Sequence, residues 1–167
     1  QPYLKTVELQ LDPIGSFGES FDPGSAKVRN YAATLAHRLA VQQEPDGSWK
    51  AKSYAAPSFY TSISGLALLS TENPVYDDAI RKAAHYVATT EERGKWAYPV
   101  GTRILFLAEY YLRTRDASIL PGLKREIARA RRGVLIDYTM GHSLSAPGYG
   151  GSGYIGAGGM VAMGLAA

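Results

Sequence analysis

The sequence has 167 residues, of which 46% are hydrophobic and 20% charged, so it is long enough for one domain with a hydrophobic core. Its formal net charge of +3 is too small to indicate nucleic-acid binding, and it lacks the long apolar run that a membrane span requires. Because there is no cysteine, the sequence excludes disulfides, thiolate metal ligands and cysteine nucleophiles in this chain and leaves the compartment open.

The first part of the chain differs from the rest. Residues 4–11 alternate apolar and polar side chains, which predicts a β-strand, and a lone strand is not stable by itself. Together with residues 13–17, this strand resembles the end of a PDZ-like domain. Residues 12–25 are rich in glycine and proline and predict a linker. We therefore expect residues 1–24 to form an extended tail or linker and residues 25–167 to form a separate domain.

Two kinds of helical pattern alternate in that domain. One kind has apolar side chains on one face alone, which is typical of a helix at the outside of a core. The other is apolar or small all round, which is typical of a buried helix. Ser25 and Asn73 are suitable N-cap residues for the first two one-sided helices. The patterns predict outer helices at 27–42, 75–89 and 119–138 and inner helices at 58–70, 100–113 and 154–166.

The connection between the first two predicted helices carries a recognisable pattern, Gln43-Glu44-Pro45-Asp46-Gly47-Ser48-Trp49. Pro45 ends a helix, Asp46 and Gly47 favour a tight turn, and the ring of Trp49 is large enough to cover the joint. This segment resembles the QW motif of the terpene cyclases of the squalene-hopene type and of the wider α/α-toroid superfamily, which includes the prenyltransferases. A degenerate copy places Gly94 and Trp96 in register, 47 positions later.

The resemblance implies an all-α fold: an incomplete α/α toroid of three outer/inner helical hairpins with a short extended N-terminal tail. The last predicted helix, 154–166, is too apolar to face water on any side. Because the sequence starts at Gln1 without a methionine and ends inside an apolar pattern, we expect a longer parent chain. Its missing C-terminal hairpins, or a second chain, would then be the partner that covers this helix.

Motifs for known chemistry are weak. The terpene cyclases of this resemblance use an Asp-x-Asp-Asp motif, which this sequence lacks. Its nearest acidic pair, Asp77-Asp78, lies at the start of a predicted helix, where interaction with the helix dipole explains it. His37, His85 and His142 show no metal-ligand spacing, and we expect the first two to be solvated. The sequence therefore predicts neither a metal nor another cofactor.

Two further patterns have simple structural explanations. Gly151, Gly153 and Gly156 match the spacing of a dinucleotide-binding loop, but no predicted strand precedes them. Close backbone packing at the start of an inner helix explains these glycines equally well. A basic row on the third outer helix has no interleaved aromatic residues and predicts a solvated face; it consists of Lys124, Arg125, Arg129 and Arg132.

Candidate site residues follow from the toroid resemblance, which places the N-terminal ends of the inner helices around a central cavity. It makes Tyr60, Tyr98, Tyr149 and Tyr154, with Phe59 beside them, candidates for ligand binding, although packing between helices is the alternative for each. The long loop 138–154 also holds His142, near Asp137, as a weak candidate for acid–base catalysis.

Three functions remain open from the sequence. The first is a toroid protein that binds a small molecule, a glycan or a peptide in its cavity. The second is an enzyme, either terpenoid-cyclase-like or polysaccharide-degrading, whose catalytic residues lie mostly outside this chain. The third is a structural interaction domain. Nucleic acid is not an expected partner of any of the three.

Overall fold

The computed structural model of the protein describes residues 25–50, 56–92, 96–132 and Leu144. Within these residues 77% are helical and no strand is present, which confirms the predicted all-α fold. Short 3₁₀ turns at Pro74–Tyr76 and Ala117–Ile119 lead into the third and fifth helices. The helices are α1 (Ala26–Val41), α2 (Pro57–Leu69), α3 (Asp77–Thr89), α4 (Ala97–Thr114) and α5 (Leu120–Arg131).

Each of the first five predicted helices corresponds to one of these elements. The fourth predicted helix starts too late, at residue 100, whereas α4 begins at Ala97 and contains Pro99 in its first turn. A proline is accepted there because the first N–H groups of a helix have no intrahelical partner. The predicted inner helix 154–166 and the tail 1–24 lie outside the described residues.

The chain divides into two units, Gln1–Thr34 and Leu35–Ala167. In the first unit, the Ser25 hydroxyl accepts a hydrogen bond from the Val28 N–H at 3.3 Å, which is the predicted N-cap interaction. The one-sided apolar pattern of α1 predicts the helix correctly, but Tyr31 is 66% exposed. In the second unit Leu35 is 46% exposed, whereas Ala36 belongs to the buried core.

Helices α2 and α4 of the second unit lie side by side and run in the same direction. The ring of Phe59 lies 5.3 Å from that of Tyr98, and Gly65 leaves room for the ring of Phe106. Further on, Arg113 donates a hydrogen bond of 3.0 Å to the backbone oxygen of the last residue of α2. Because these contacts follow in the same order along both helices, the two are parallel. Helix α3 packs on α2 and α4, and α5 packs on α3 and α4.

The connection from α2 to α3 recurs in the connection from α4 to α5, 43 positions later. Glu72 and Arg115 both have a positive φ, of 53° and 59°. Each precedes an N-cap residue: Asn73 accepts a hydrogen bond from the Val75 N–H at 3.1 Å, and Asp116 accepts one from the Ser118 N–H at 3.0 Å. A 3₁₀ turn and the next helix follow in both cases. Such repetition of local geometry is typical of stacked supersecondary units.

The turn after α1 is held by its own polar side chains. The Asp46 carboxylate accepts hydrogen bonds from the N–H and the hydroxyl of Ser48 at 3.0 and 2.6 Å, and the hydroxyl contact is the main cause that lowers the pKa of Asp46. Gly47 has a φ of 88°, and a Cβ there would collide with the backbone of Lys82. Gln43 donates hydrogen bonds to the Gly47 oxygen at 3.0 Å and to the Ala79 oxygen of α3 at 2.8 Å.

Trp49 joins α1 to α2. It is 6% exposed, in agreement with the burial expected from the sequence. Its indole N–H donates to the Leu39 oxygen of α1 at 2.8 Å, and its backbone N–H donates to the Thr61 hydroxyl of α2 at 3.0 Å. In the degenerate copy, Trp96 is half-buried and Gly94 lies outside the described residues.

Replacement of Trp49 by alanine is expected to lower the free energy of unfolding by about 3–5 kcal/mol, since it leaves a cavity between α1 and α2. Chemical denaturation measures the effect. Trp49→Phe is the matched control, because it keeps most of the ring volume and loses only the indole hydrogen bond, so its loss is expected to be smaller. A Trp49→Ala protein with the wild-type denaturation midpoint would contradict this role.

Candidate functional site

One side of the parallel pair α2 and α4 carries apolar side chains that are half-buried or exposed. On α2 the buried positions are mostly small or polar, among them Ser58, Thr61 and Gly65. Larger apolar side chains point the other way; Ile63, for example, is 44% exposed and Leu112 on α4 is 45% exposed. We call this side the α2/α4 face, and it consists of Phe59, Tyr60, Ile63, Leu66, Tyr98, Leu105 and Leu112.

Aromatic rings meet at the N-terminal end of the α2/α4 face. The Phe59 ring packs edge to face on Tyr60, with centroids 5.4 Å apart, and on Tyr98, with centroids 5.3 Å apart. The structure thus brings together two of the residues that the sequence analysis proposes for ligand binding. Both tyrosines are half-buried. The other four candidates lie outside the described residues: Asp137, His142, Tyr149 and Tyr154.

A groove of about 720 Å³ lies at the C-terminal end of the same face. Its volume falls within the ~300–1,000 Å³ that is usual for small-molecule sites. Four leucines form most of the wall, and Ser70, Glu72, Glu109 and Arg113 are its polar residues. No candidate residue predicted from the sequence lies at this end of the face, although leucines recur at helical spacing in both α2 and α4. The lining leucines are Leu66, Leu69, Leu105 and Leu112.

Both residues of the acidic pair at the start of α3, Asp77 and Asp78, form salt bridges. Asp78 forms salt bridges with Arg81 at 2.5 Å and with Lys82 at 2.8 Å. Hydrogen bonds from Lys82 and then Arg81 lower the pKa of the Asp78 carboxyl. Asp77 pairs with Arg113 at 3.2 Å. Because its pKa is lowered at a helix N-terminus, Asp78 is unsuited to donate a proton.

A buried charge network connects α3, α4 and α5. Arg103 of α4 is fully buried, and its guanidinium donates hydrogen bonds to the Val87 and Thr90 oxygens at the end of α3, at 3.2 and 2.8 Å. It also lies 3.2 Å from the Glu126 carboxylate of α5 and 3.5 Å from that of Glu92. Burial lowers the pKa of Arg103, and the two carboxylates oppose that shift.

Two members of the basic row on α5 belong to this network. Arg125 donates a hydrogen bond of 2.9 Å to the Ala88 oxygen, and Arg129 lies 3.5 Å from Glu126. The expectation that the row is a solvated face is therefore wrong for these two arginines, because the buried Glu126 carboxylate attracts them. Arg103 lies on the opposite side of α4 from Tyr98 and Leu105, so the network supports the α2/α4 face from behind.

Loss of the Arg103 charge alone is expected to be costly. Arg103→Met should lower the free energy of unfolding by about 3–5 kcal/mol, because Glu126 then stays buried without its main partner. The double variant Arg103→Met with Glu126→Leu should recover most of the loss. Chemical denaturation of both variants measures this, and Arg81→Met, at an exposed ion pair, is the control and should change stability by at most ~1 kcal/mol. A double variant no more stable than the single one would contradict the pairing.

A second polar cluster surrounds the N-cap residue Asp116. His85 is 41% exposed, as expected of a solvated side chain, and it also lies 3.0 Å from the Asp116 carboxylate. The Tyr110 hydroxyl donates to the same oxygen at 3.1 Å, and burial is the main cause that raises the pKa of Tyr110. The hydrogen bond from the Ser118 hydroxyl is the largest cause that lowers the pKa of Asp116 from 3.8 to about 2.

The lowered pKa of Asp116 predicts the sign of a pH effect. Ionised Asp116 stabilises the fold above pH 3.8, and this contribution is lost as the pH falls towards about 2. Asp116→Asn should therefore be less stable than wild type at pH 7, and the difference should narrow between these two values. Denaturation midpoints across that range measure it, with Glu91→Gln, at an exposed glutamate outside the cluster, as the comparison. Since Asn73 caps the equivalent turn, the variant keeps a cap, and a constant difference across the range would refute the role of the charge.

The described residues define a class of protein: an all-α protein whose five helices pack together, with an apolar face along α2 and α4. A profile of a domain of unknown function, DUF6288, matches residues 26–167, and the chain belongs to this family. Over 65 residues the chain is 38% identical to a copalyl diphosphate synthase from Streptomyces cyslabdanicus. This match covers 38% of the chain and only 12% of that enzyme. No solved structure matches the chain with statistical significance.

None of the described helices is both long and apolar enough to cross a membrane. Among the same residues, no three histidine, cysteine or acidic side chains are grouped in a way that would hold a metal ion.

Proposed function

We propose that the α2/α4 face is part of the wall of a ligand-binding cavity and that the protein binds an elongated, largely apolar ligand there. The observation that carries this proposal is the open apolar face that extends from the aromatic rings of Phe59, Tyr60 and Tyr98 to the leucine-lined groove. Contiguous exposed apolar surface of this kind marks binding sites more often than chance exposure does. Helix α2 has 13 residues, so at about 1.5 Å per residue the face is about 20 Å long.

The same proposal places this wall inside an α/α toroid. In it α2 and α4 are inner helices, α1, α3 and α5 are outer helices, and residues 25–167 form the toroid domain after a linker at 1–24. Three observations support the arrangement: the parallel inner helices, the connection repeated at Asn73 and Asp116, and the QW-like turn around Trp49. The identity shared with a terpene cyclase over 65 residues is a fourth.

An apolar ligand fits the face better than a glycan does. Glycans are bound by many hydrogen-bonding side chains, whereas four leucines dominate the groove. The aromatic rings at the other end suit either kind of ligand. In the toroid, Tyr149 and Tyr154 would extend the aromatic end, and His142 with Asp137 would stand at the mouth of the cavity.

We expect farnesol, an elongated apolar alcohol, to bind the protein and to displace the neutral fluorescent probe N-phenyl-1-naphthylamine. Leu105→Asn should weaken farnesol binding by about tenfold or more, because it removes one leucine side chain from the wall, and Tyr98→Ala should weaken it too. Titration of the displaced fluorescence measures both effects. Val75→Asn is the matched control for Leu105→Asn, since Val75 is 71% exposed and lies off the face.

The results would separate the proposed functions. Farnesol binding that is indifferent to Leu105→Asn and Tyr98→Ala would refute the α2/α4 face as the site. Binding of cellotetraose without farnesol would favour a glycan ligand, and binding of neither would favour a structural interaction domain.

A terpenoid-cyclase-like enzyme is the second candidate function. Its specific support is the partial identity to a copalyl diphosphate synthase. This sequence has no Asp-x-Asp-Asp motif, so the catalytic acid would come from a part of the protein outside this chain. In that case farnesol would bind to this chain without conversion, and the longer parent protein would turn over an isoprenoid substrate.

A further inference from the structure

The charged residues of the groove differ in whether their charge is paired. Arg113 directs its guanidinium at Asp77 and at the Leu69 oxygen, at 3.2 and 3.0 Å, so its charge is already matched. Glu72 and Glu109 line the same groove, and their carboxylates form no ion pair or hydrogen bond with the part of the chain that the structure describes. The groove therefore combines leucine walls with two uncompensated negative charges.

Helix geometry adds to this negative potential. Helices α2 and α4 are parallel, so their C-terminal ends, at Leu69 and Thr114, lie at the same end of the face as the groove. Each helix carries a partial negative charge at that end, which favours a nearby cation. The α2 terminus already binds the Arg113 guanidinium through the Leu69 oxygen, so the two carboxylates and the C-terminal end of α4 contribute the unmatched negative potential of the groove.

We infer that the groove selects an aliphatic ligand that carries a positive charge, such as an alkylamine or a quaternary alkylammonium. The inference rests on the proposed function, because it names the class of ligand for the same face. The aliphatic chain lies along Leu66, Leu69, Leu105 and Leu112, and the cationic group lies beside Glu72 and Glu109. An anionic head group is repelled from this end by the same charges.

Three probes with the same decyl chain test the inference: decyltrimethylammonium, decanol and decyl sulfate, each below its micelle concentration. We expect decyltrimethylammonium to displace N-phenyl-1-naphthylamine at a concentration about tenfold lower than decanol, which corresponds to ~1.4 kcal/mol, and decyl sulfate to bind most weakly. Added salt at about 1 M should reduce the preference, because it screens the two carboxylates of the groove.

Variants locate the source of the preference. Glu109→Gln and Glu72→Gln should each lower the affinity for decyltrimethylammonium by about threefold and leave decanol binding unchanged, since a tenfold preference is shared between two charges. Glu91→Gln is the matched control, because Glu91 is an exposed glutamate after α3, outside the groove, and its removal should change neither affinity. Circular dichroism establishes that each variant is folded.

The outcomes distinguish this inference from the function on which it rests. Decanol and decyltrimethylammonium that bind equally would overturn the charge selection and leave the apolar site intact. A preference that survives both groove variants would also overturn it. If no decyl probe binds, the proposed function fails together with the inference.

Discussion

A guanidinium group without access to water determines how three helices meet. Arg103 of α4 reaches the last carbonyl groups of α3 and the Glu126 carboxylate of α5, and all of these contacts are needed because an unpaired buried cation costs several kcal/mol. Few arrangements of α3, α4 and α5 bring two backbone oxygens and a carboxylate to one guanidinium group. Once Arg103 faces α3 and α5, the side of α4 that carries Tyr98 and Leu105 is turned away from them, which leaves the α2/α4 face open.

The repeated connections determine the direction of the helices on that face. A residue with positive φ and an Asn or Asp cap reverse the chain after α2 and again after α4. Helices α2 and α4 consequently run in the same direction. Their dipoles add instead of cancelling, as they would in an antiparallel pair, and the two ends of the α2/α4 face differ in electrostatic potential for that reason.

Much of this fold was predictable from the sequence, and the site only in part. Apolar periodicity located α1 to α5, and the turn residues Pro45 and Gly47 with Trp49 located the joint between α1 and α2. The apolar pattern of a predicted inner helix gives no information about the partner of a charged residue within it. The contact between Arg103 and Glu126, which are far apart in sequence, could therefore not be predicted. The exposure of Tyr31 could not be predicted either, since a one-sided pattern does not show whether the apolar face of the helix is covered. Phe59, Tyr60 and Tyr98 were found through the toroid resemblance, whereas Glu72 and Glu109 join one groove only through the parallel packing.

The proposed cavity wall is apolar, and its charged groups make the electrostatic potential different at its two ends. At its aromatic end, the N-terminal N–H of Ser58 in α2 is already occupied by the Glu92 carboxylate at 3.1 Å, so this helix terminus is not free to bind an anionic head group. At the other end, Glu72 and Glu109 repel an anion and attract a cation. A ligand with a charged end therefore gains most with a cation in the groove and its apolar remainder towards Tyr60 and Tyr98. A diphosphate ester bound along the same wall would have to place its head group beyond the described part of the face. The position of the diphosphate therefore distinguishes a simple binding protein from a cyclase-like enzyme.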